Sequence, residues 1–485
     1  MIAALLDLAR THAPLLSLST LVIGAALAIA GAGPRLSWFI ALAAALASAA
    51  FASDMALRLL TDGEIVLTIE GAALFPDGVG AFAGALLAGV AVLAVMAAGA
   101  SLGDYERRAA PFALALLLLT AAGWIGALMA RDLVGVLIAV ETAWLASVGL
   151  VAMSAQRAAL NGALRMLGAG GVGGAMFVLG AGLLHHGAGA LDLPAIAAAH
   201  VERADAAALG AGLVLLGVAL KAGVAPLHEW MGAVLGRVNA VGALAVGVLC
   251  AIGAIAVIVR LAAYLLPSLA FGEGVSIALA VLGGASVVIG SVQAVGSHNL
   301  RRMTGYAGIA QAGGVLLCVA LASPAGYAAA LVQLTAFAGA ALALFGGAAA
   351  GGVQTLETLD GLGRRAPLAG AAIMAGAVSL MGAPLTLGFL GRWRLVEAGV
   401  GAGWWWAAGA VIFASLAGVF YGGRLIERLY FRRAGEVYAG ARDVWRWAMA
   451  PMLAASIVVI GSGVAPAGLL AAADAAAAHI AGSVR

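Results

Sequence analysis

The sequence predicts an all-α polytopic membrane protein of about fourteen transmembrane helices, and three observations predict it. Of 485 residues, 64% are hydrophobic and only 10% are charged. With a mean hydropathy of +1.10, such a chain has lipid rather than water as its main solvent. Apolar runs of roughly twenty residues recur from end to end, the length a helix needs to cross a bilayer core. The runs are continuous rather than alternating, which argues against a membrane barrel and leaves helices, whose backbone groups are satisfied internally.

Charges, prolines and polar clusters bound the first seven spans near 14–32, 37–60, 80–102, 109–129, 132–155, 159–185 and 206–225. The other seven fall near 239–266, 273–296, 304–323, 325–351, 367–390, 403–430 and 448–474. The first run follows Arg10 and Pro14 with no small-residue cleavage site before the next helix, so it reads as a retained span rather than a signal peptide. Between the second and third spans lies a sizeable loop, Thr61 to Gly78, carrying Asp62, Glu64, Glu70 and Asp77. The seventh and twelfth spans contain Pro226 and Pro384, which break a helix by removing a donor and clashing with the preceding turn. Trp404, Trp405 and Trp406 open the thirteenth span as an interfacial anchor.

Arginines crowd alternate loops: Arg35, Arg107 with Arg108, Arg157, Arg237, Arg301 with Arg302, Arg364 with Arg365, then Arg432, Arg433, Arg442 and Arg446. The positive-inside rule makes those loops cytoplasmic, and an even number of spans then puts both termini on the periplasmic side of a bacterial inner membrane. Opposite loops hold Arg58, Arg131 and Arg203 mixed with acids. Cys250 and Cys318 lie inside apolar runs without CxxC spacing, so no redox centre, metal or other cofactor is expected. The 70 glycines make chance matches to phosphate-loop patterns inevitable, and within spans they serve close helix packing. Lipid, not nucleic acid, is the expected surrounding partner.

The 25 basic residues are 24 arginines and one lysine, and that lysine, Lys221, sits inside an apolar run, ALKAGVAPLHEW. A burial cost of about 2.5–3.5 kcal/mol at a helix centre demands a partner or a task. Ammonium can give up its proton where guanidinium cannot, so a lone lysine in an arginine-using chain points to an exchangeable proton. The plainer reading is a lysine snorkelling to the interface. Glu141, alone in LIAVETAWLASVGLV, is its natural partner, either sharing a proton or locking two helices as a static pair. Pro226 follows Lys221 by five residues, with His228 two further on. Ala-Pro-Leu recurs at Ala225–Leu227 and Ala383–Leu385, each copy with a base nearby, Lys221 before one and Arg392 after the other. Paired broken helices in two halves are the mark of an internally repeated transporter. His185 and His186 read as a solvated helix end.

These motifs together resemble the antiporter-like subunits of respiratory complex I and the related Mrp cation/proton antiporters and membrane-bound hydrogenases. The resemblance runs from about 75 to 430. It is carried by Glu141; by Lys221, Pro226, His228 and Trp230; by His298–Tyr306 (HNLRRMTGY); by Leu359–Pro367 (LDGLGRRAP); and by Gly382–Gly391 (GAPLTLGFLG). Asn299, the Thr-Leu-Gly-Phe run and the span count favour the N type of NADH:quinone oxidoreductase subunit. The resemblance implies two inverted five-helix repeats with broken helices 7 and 12. Residues 1–105 would form helices 1–3, 106–266 and 267–430 the two repeats, and 431–485 a loop with helix 14. It further implies a proton-translocating subunit without its own redox centre, assembled with other membrane subunits, in which Glu141 and Lys221 couple the first half-channel. His228 would be a relay and Arg392 the terminal base of the second half. Two departures stand out: Ala251 occupies the place of a relay lysine, and Arg392 cannot become neutral. The alternatives are an Mrp-type or hydrogenase-type subunit, or a structural subunit whose channel is incomplete.

Overall fold

The computed structural model describes residues 10–31, 33–61, 73–154, 157–199, 203–267, 272–433 and 449–483, with residues 8 and 201. Helices account for nearly all of them, and no β-strand occurs among the described residues, only three isolated bridges between loops. The first half comprises α1 (Ala13–Ala30), α2 (Pro34–Thr61), α3 (Gly78–Ala98), α4 (Ala110–Met129), α5 (Leu133–Ala152), α6 (Arg157–Ala188), α7 (Ala204–Ala222), the short α8 (Glu229–Leu235) and α9 (Ala240–Leu265). There follow α10 (Gly272–Gly296), α11 (Leu300–Ala320), α12 (Pro324–Ala350), α13 (Pro367–Met381), α14 (Leu387–Gly401), α15 (Trp405–Ile426), α16 (Met449–Val464) and α17 (Ala467–Ser483). Among the described residues 12 helices are long and apolar enough to cross a membrane, or 13 if the last bent pair counts as one span.

Short polar side chains set where many helices begin. Asp77, Asp132, Asn239, Asn299, Ser323 and Thr386 each accept the backbone N–H three residues on, satisfying donors that the first turn leaves unpaired. Burial then sorts the helices. Helices α9 and α12 are buried along their whole hydrophobic length, whereas α6 and α15 present most of theirs outward. Glycine lets neighbouring pairs approach closely in both halves. Added Cβ atoms at Gly173 and Gly217 of α6 and α7 would strike each other's carbonyls at 2.6 and 2.5 Å, and Gly283 and Gly313 of α10 and α11 repeat the arrangement at 2.8 and 2.5 Å.

Both expected breaks are present and built alike. α7 ends on Gly223 and α13 on Gly382, each in the left-handed conformation, with φ of 73° and 74°. Carbonyls freed in an apolar interior need donors. At the first break the Trp230 indole donates to Leu220 O at 3.1 Å, and Ala225 N–H donates to Ser286 Oγ at 3.0 Å. At the second, Arg392 donates to Leu380 O and Met381 O.

Three expectations need correction. The twelfth span resumes after its break as α14 and runs to Gly401, well past the expected 390, because Thr386 caps a new helix there. The last segment is not one straight span: α16 and α17 meet at 87° around Pro466, which cannot continue the α16 hydrogen-bond ladder. Asp77, read as a loop acid, is fully buried. Its loop neighbours Asp62, Glu64 and Glu70 lie outside the described residues, as do Arg442 and Arg446.

Candidate functional site

The structure brings Glu141 and Lys221 together. Glu141 lies on the third turn of α5 and Lys221 on the last turn of α7, with Lys221 Nζ 2.9 Å from Glu141 Oε1. Lys221 is only 2% exposed and Glu141 30%. The ammonium also donates to Gly170 O at 3.1 Å and lies 4.8 Å over the Trp144 ring, a cation–π contact that replaces part of its lost hydration. Trp144 donates to Met166 O at 3.2 Å and meets Trp230 edge-on at 5.0 Å. Glycines on α6 leave the room: a Cβ at Gly170 would fall 1.8 Å from Trp144 Nε1, and one at Gly174 would fall 2.7 Å from Glu141 Oε1. Thus the run GAGGVGG of α6 is the wall against which the pair is set.

Beyond Lys221 the polar groups are neutral. Cys250, fully buried, lies close enough to interact with Lys221, beside Ser147 and Trp124. It ends a π-helical stretch, Ala245–Cys250, and Ala251 follows as a buried alanine. Such π-turns interrupt the α-helical ladder and frequently occur at functional positions.

His228, 5% exposed, sits between the Lys221 break and α10. Its Nε2 is 2.8 Å from Gln293 Oε1, its ring meets Tyr306 edge-on at 6.4 Å, and Nδ1 has no partner among the described residues. Gln293 and Tyr306 line an open cavity of about 530 Å³ with Ser297, His298, Asn299, Arg302, Thr355 and Glu357. This cavity lies at the ends of α10 and α11 that adjoin the arginine-bearing loops. Outside the spans, hydrogen bonds from its own backbone amide and the Thr355 hydroxyl, aided by Arg428 and His298, hold the Glu357 carboxyl below its ordinary value.

Arg392 stands apart from the first pair. Its Nη1 donates to Met381 O at 2.5 Å and Ser415 Oγ at 2.6 Å, while Nη2 donates to Leu380 O. All of these partners are neutral, and the guanidinium caps the carbonyl end of α13, where the helix dipole favours a cation. Near its base Gln333 donates to Gln311, and a Cβ at Gly391 would strike Gln333 Oε1 at 2.2 Å.

One buried pair was missed from sequence. Arg260 of α9 and Asp77 are 1% and 0% exposed and lie 2.5 Å apart. Arg260 further donates to Ala127 O, Ala130 O and Phe75 O at 3.1, 2.7 and 2.9 Å, and the Tyr264 hydroxyl donates to Asp77 Oδ2 at 3.2 Å. A signal existed: Arg260 is as isolated in AIGAIAVIVRLAAYL as Lys221 is in its own run.

Fold and site together define a polytopic helical membrane protein with two matched broken helices and a buried carboxylate–ammonium pair. The chain belongs to the transmembrane family described as NADH:quinone oxidoreductase/Mrp antiporter, whose profile matches residues 130–418. It is 32% identical over 349 residues to the NADH-quinone oxidoreductase subunit N of Cereibacter sphaeroides, covering 71% of this chain and 75% of that protein. To the subunit N of Ectopseudomonas mendocina it is 29% identical over 332 residues, 65% of this chain and 66% of that one. Among solved structures, a chain of the Thermus thermophilus respiratory complex I aligns with a TM-score of 0.79 at 25% identity over 94% of this chain and 98% of that chain. A chain of the Mrp complex from Dietzia sp. shares the fold with a TM-score of 0.85 at 22% identity over 97% of both chains.

Proposed function

We propose that this chain is a proton-translocating subunit, without its own redox centre, of a complex I-like NADH:quinone oxidoreductase, and that it is of the N type. The observation that carries the proposal is the Glu141–Lys221 contact: two groups able to exchange a proton, 2.9 Å apart near the middle of a membrane span. The full reading has fourteen spans, counting α7 with α8, α13 with α14 and α16 with α17 as one each. Residues 106–266 and 267–430 form two inverted repeats after three N-terminal helices, with 431–485 closing the chain. The arginine-bearing loops face the cytoplasm of a bacterial inner membrane, both termini face the periplasm, and other membrane subunits flank the chain. His228 then receives protons from the cavity bounded by Gln293 and Tyr306, and Arg392 acts on the second half by its charge alone.

A second reading has its own support. Arg392 is held by neutral oxygens and Ala251 is apolar, which fits a structural subunit that keeps the first-half pair but lacks a complete channel. Proton pumping by the assembled complex in sealed vesicles, wild type against Lys221→Arg, separates the two. Arginine keeps the charge and removes the exchangeable proton. Loss of pumping with assembly and redox turnover intact supports the relay; unchanged pumping makes the pair structural.

A further inference from the structure

The buried imidazole of His228 is hydrogen-bonded on one edge only. Its Nε2 is 2.8 Å from Gln293 Oε1, whereas Nδ1 is buried and meets no hydrogen-bond partner among the described residues. A neutral imidazole carries one N–H and one lone pair, and an amide oxygen can only accept. Nε2 therefore holds the hydrogen and Nδ1 the lone pair. With the Gln293 amide turned round to donate, an N–H would be orphaned at Nδ1, and a buried N–H without an acceptor is rarer than an acceptor without a donor. The helix that carries Gln293 is itself tied to the break. Seven residues earlier on α10, two turns away on the same face, the buried Ser286 donates to Leu282 O at 2.7 Å and accepts the Ala225 N–H at 3.0 Å. One face of α10 thus grips the chain on both sides of Pro226, and the Tyr306 ring of α11 meets the imidazole edge-on.

Resting on the reading of the chain as a proton-translocating subunit, we propose that Gln293 is a positioning residue that holds His228 as its Nε2–H tautomer, which makes Nδ1 the single atom at which this ring exchanges a proton. A carboxamide does not take a proton from imidazole, so the Nε2 edge is closed to transfer. Water entering from the cavity gives a proton to the Nδ1 lone pair, and the ring becomes an imidazolium with hydrogen on both nitrogens. Loss of that proton from Nδ1 to an acceptor on the Lys221 side restores the neutral ring, with the Nε2–H bond to Gln293 unbroken throughout. A buried acceptor left without a donor costs stability; here the vacancy is the working feature. On the same reading α10 and α11 open the second repeat, which thereby serves the first half although its own Arg392 cannot exchange a proton.

The test is infrared spectroscopy of the intact complex in native membranes with isotope-labelled histidine, using the His228→Gln complex as the blank. Glutamine at 228 keeps a donor for Gln293 and removes the base, so the difference spectrum isolates one ring, whose stretching bands separate the two neutral tautomers and the imidazolium. The resting wild type is expected to show the Nε2–H band alone. Gln293→Leu keeps the bulk and removes the acceptor; it is expected to replace that band by a mixture of tautomers and to cut pumping by about tenfold or more, with assembly and redox turnover intact. A wild-type Nδ1–H or imidazolium band overturns the inference, as does a Gln293→Leu complex that keeps either the wild-type band or wild-type pumping. Should Gln293→Leu fail to assemble, the wild-type band alone decides. If the inference is overturned while Lys221→Arg still abolishes pumping, the tautomer assignment alone has failed. If the expected band appears while Lys221→Arg pumps normally, the functional reading alone has failed.

Discussion

Gly170→Ala tests whether the wall of α6 positions the buried pair. An ideal Cβ at residue 170 would lie 1.8 Å from Trp144 Nε1, 2.4 Å from Cδ1 and 2.8 Å from Cε2. Ordinary contact begins near ~3.5 Å, so the indole must shift by more than about 1.5 Å or the helices must part. Moving the ring breaks its 3.2 Å bond to Met166 O, disturbs its edge contact with Trp230 and withdraws it from under Lys221. Overpacking costs about 1–3 kcal/mol, the hydrogen bond about 1 and the cation–π contact about 1–2; because the three overlap, the expected loss is about 2–4 kcal/mol. Gly168→Ala is the control, two residues earlier with nothing within 4 Å of its added Cβ. It should fall within about 0.5 kcal/mol of wild type, or gain slightly from helix propensity. Denaturant titration in detergent reads both variants, and pumping in vesicles reads the effect on the pair. Equal stability of the two variants would refute the positioning argument.

Three further outcomes follow from the same geometry. Glu141→Gln leaves the Lys221 ammonium without its counter-charge; breaking a buried pair costs about 3–5 kcal/mol, discounted here to about 1–3 because Glu141 is 30% exposed. Adding Lys221→Met should recover most of that loss, and a coupling energy under about 0.5 kcal/mol in the double-mutant cycle would show that the pair contributes nothing to the fold. Arg392→Met strips donors from the carbonyls of Leu380 and Met381 and should cost roughly 1–3 kcal/mol in denaturant titration, with Arg392→Lys in between; an unaffected Arg392→Met would end the capping account. Glu357 has a depressed folded pKa, so its contribution to stability is complete above the ordinary carboxylate value of 4.5 and is lost as pH falls through the lower folded value. Glu357→Gln should remove that acid limb from the stability–pH curve, and a curve identical to wild type would contradict the assignment.

Much of the architecture was legible because hydrocarbon imposes simple rules. Span positions, the two breaks and the Glu141–Lys221 contact all follow from the cost of polar groups in lipid, applied to runs that are otherwise apolar. What escaped had the same physics but a weaker mark. Asp77 sits where a loop meets a helix, so its burial depends on Arg260, 183 residues away, folding over it. The α16–α17 break carries a local mark in Pro466, but a single proline in a run of Ala and Gly does not encode an angle as large as 87°. Neutral amides gave even less warning: Gln293, Gln311 and Gln333 lie in apolar spans, and only the fold shows that one meets His228 and the other two meet each other.

The two halves share a backbone design and diverge in charge chemistry. Gly223 and Gly382 end their helices in nearly the same conformation, yet the freed carbonyls are satisfied by an indole in the first half and by Arg392 in the second. Consequently Lys221 need not serve as a cap and is available to Glu141, whereas the Arg392 guanidinium is committed to carbonyl oxygens. A fixed cation held by neutral partners supplies a constant field in a low-dielectric interior, where charge acts over longer distances than in water. In the proposed function, that field disfavours a second positive charge in the adjoining half. A proton entering at the cavity beside Gln293 and His228 would then be directed toward Lys221 rather than across α14. On this view Ala251 and Arg392 act in the same direction, one withholding a titratable stop and the other opposing onward transfer, and the working chemistry is concentrated in the first half.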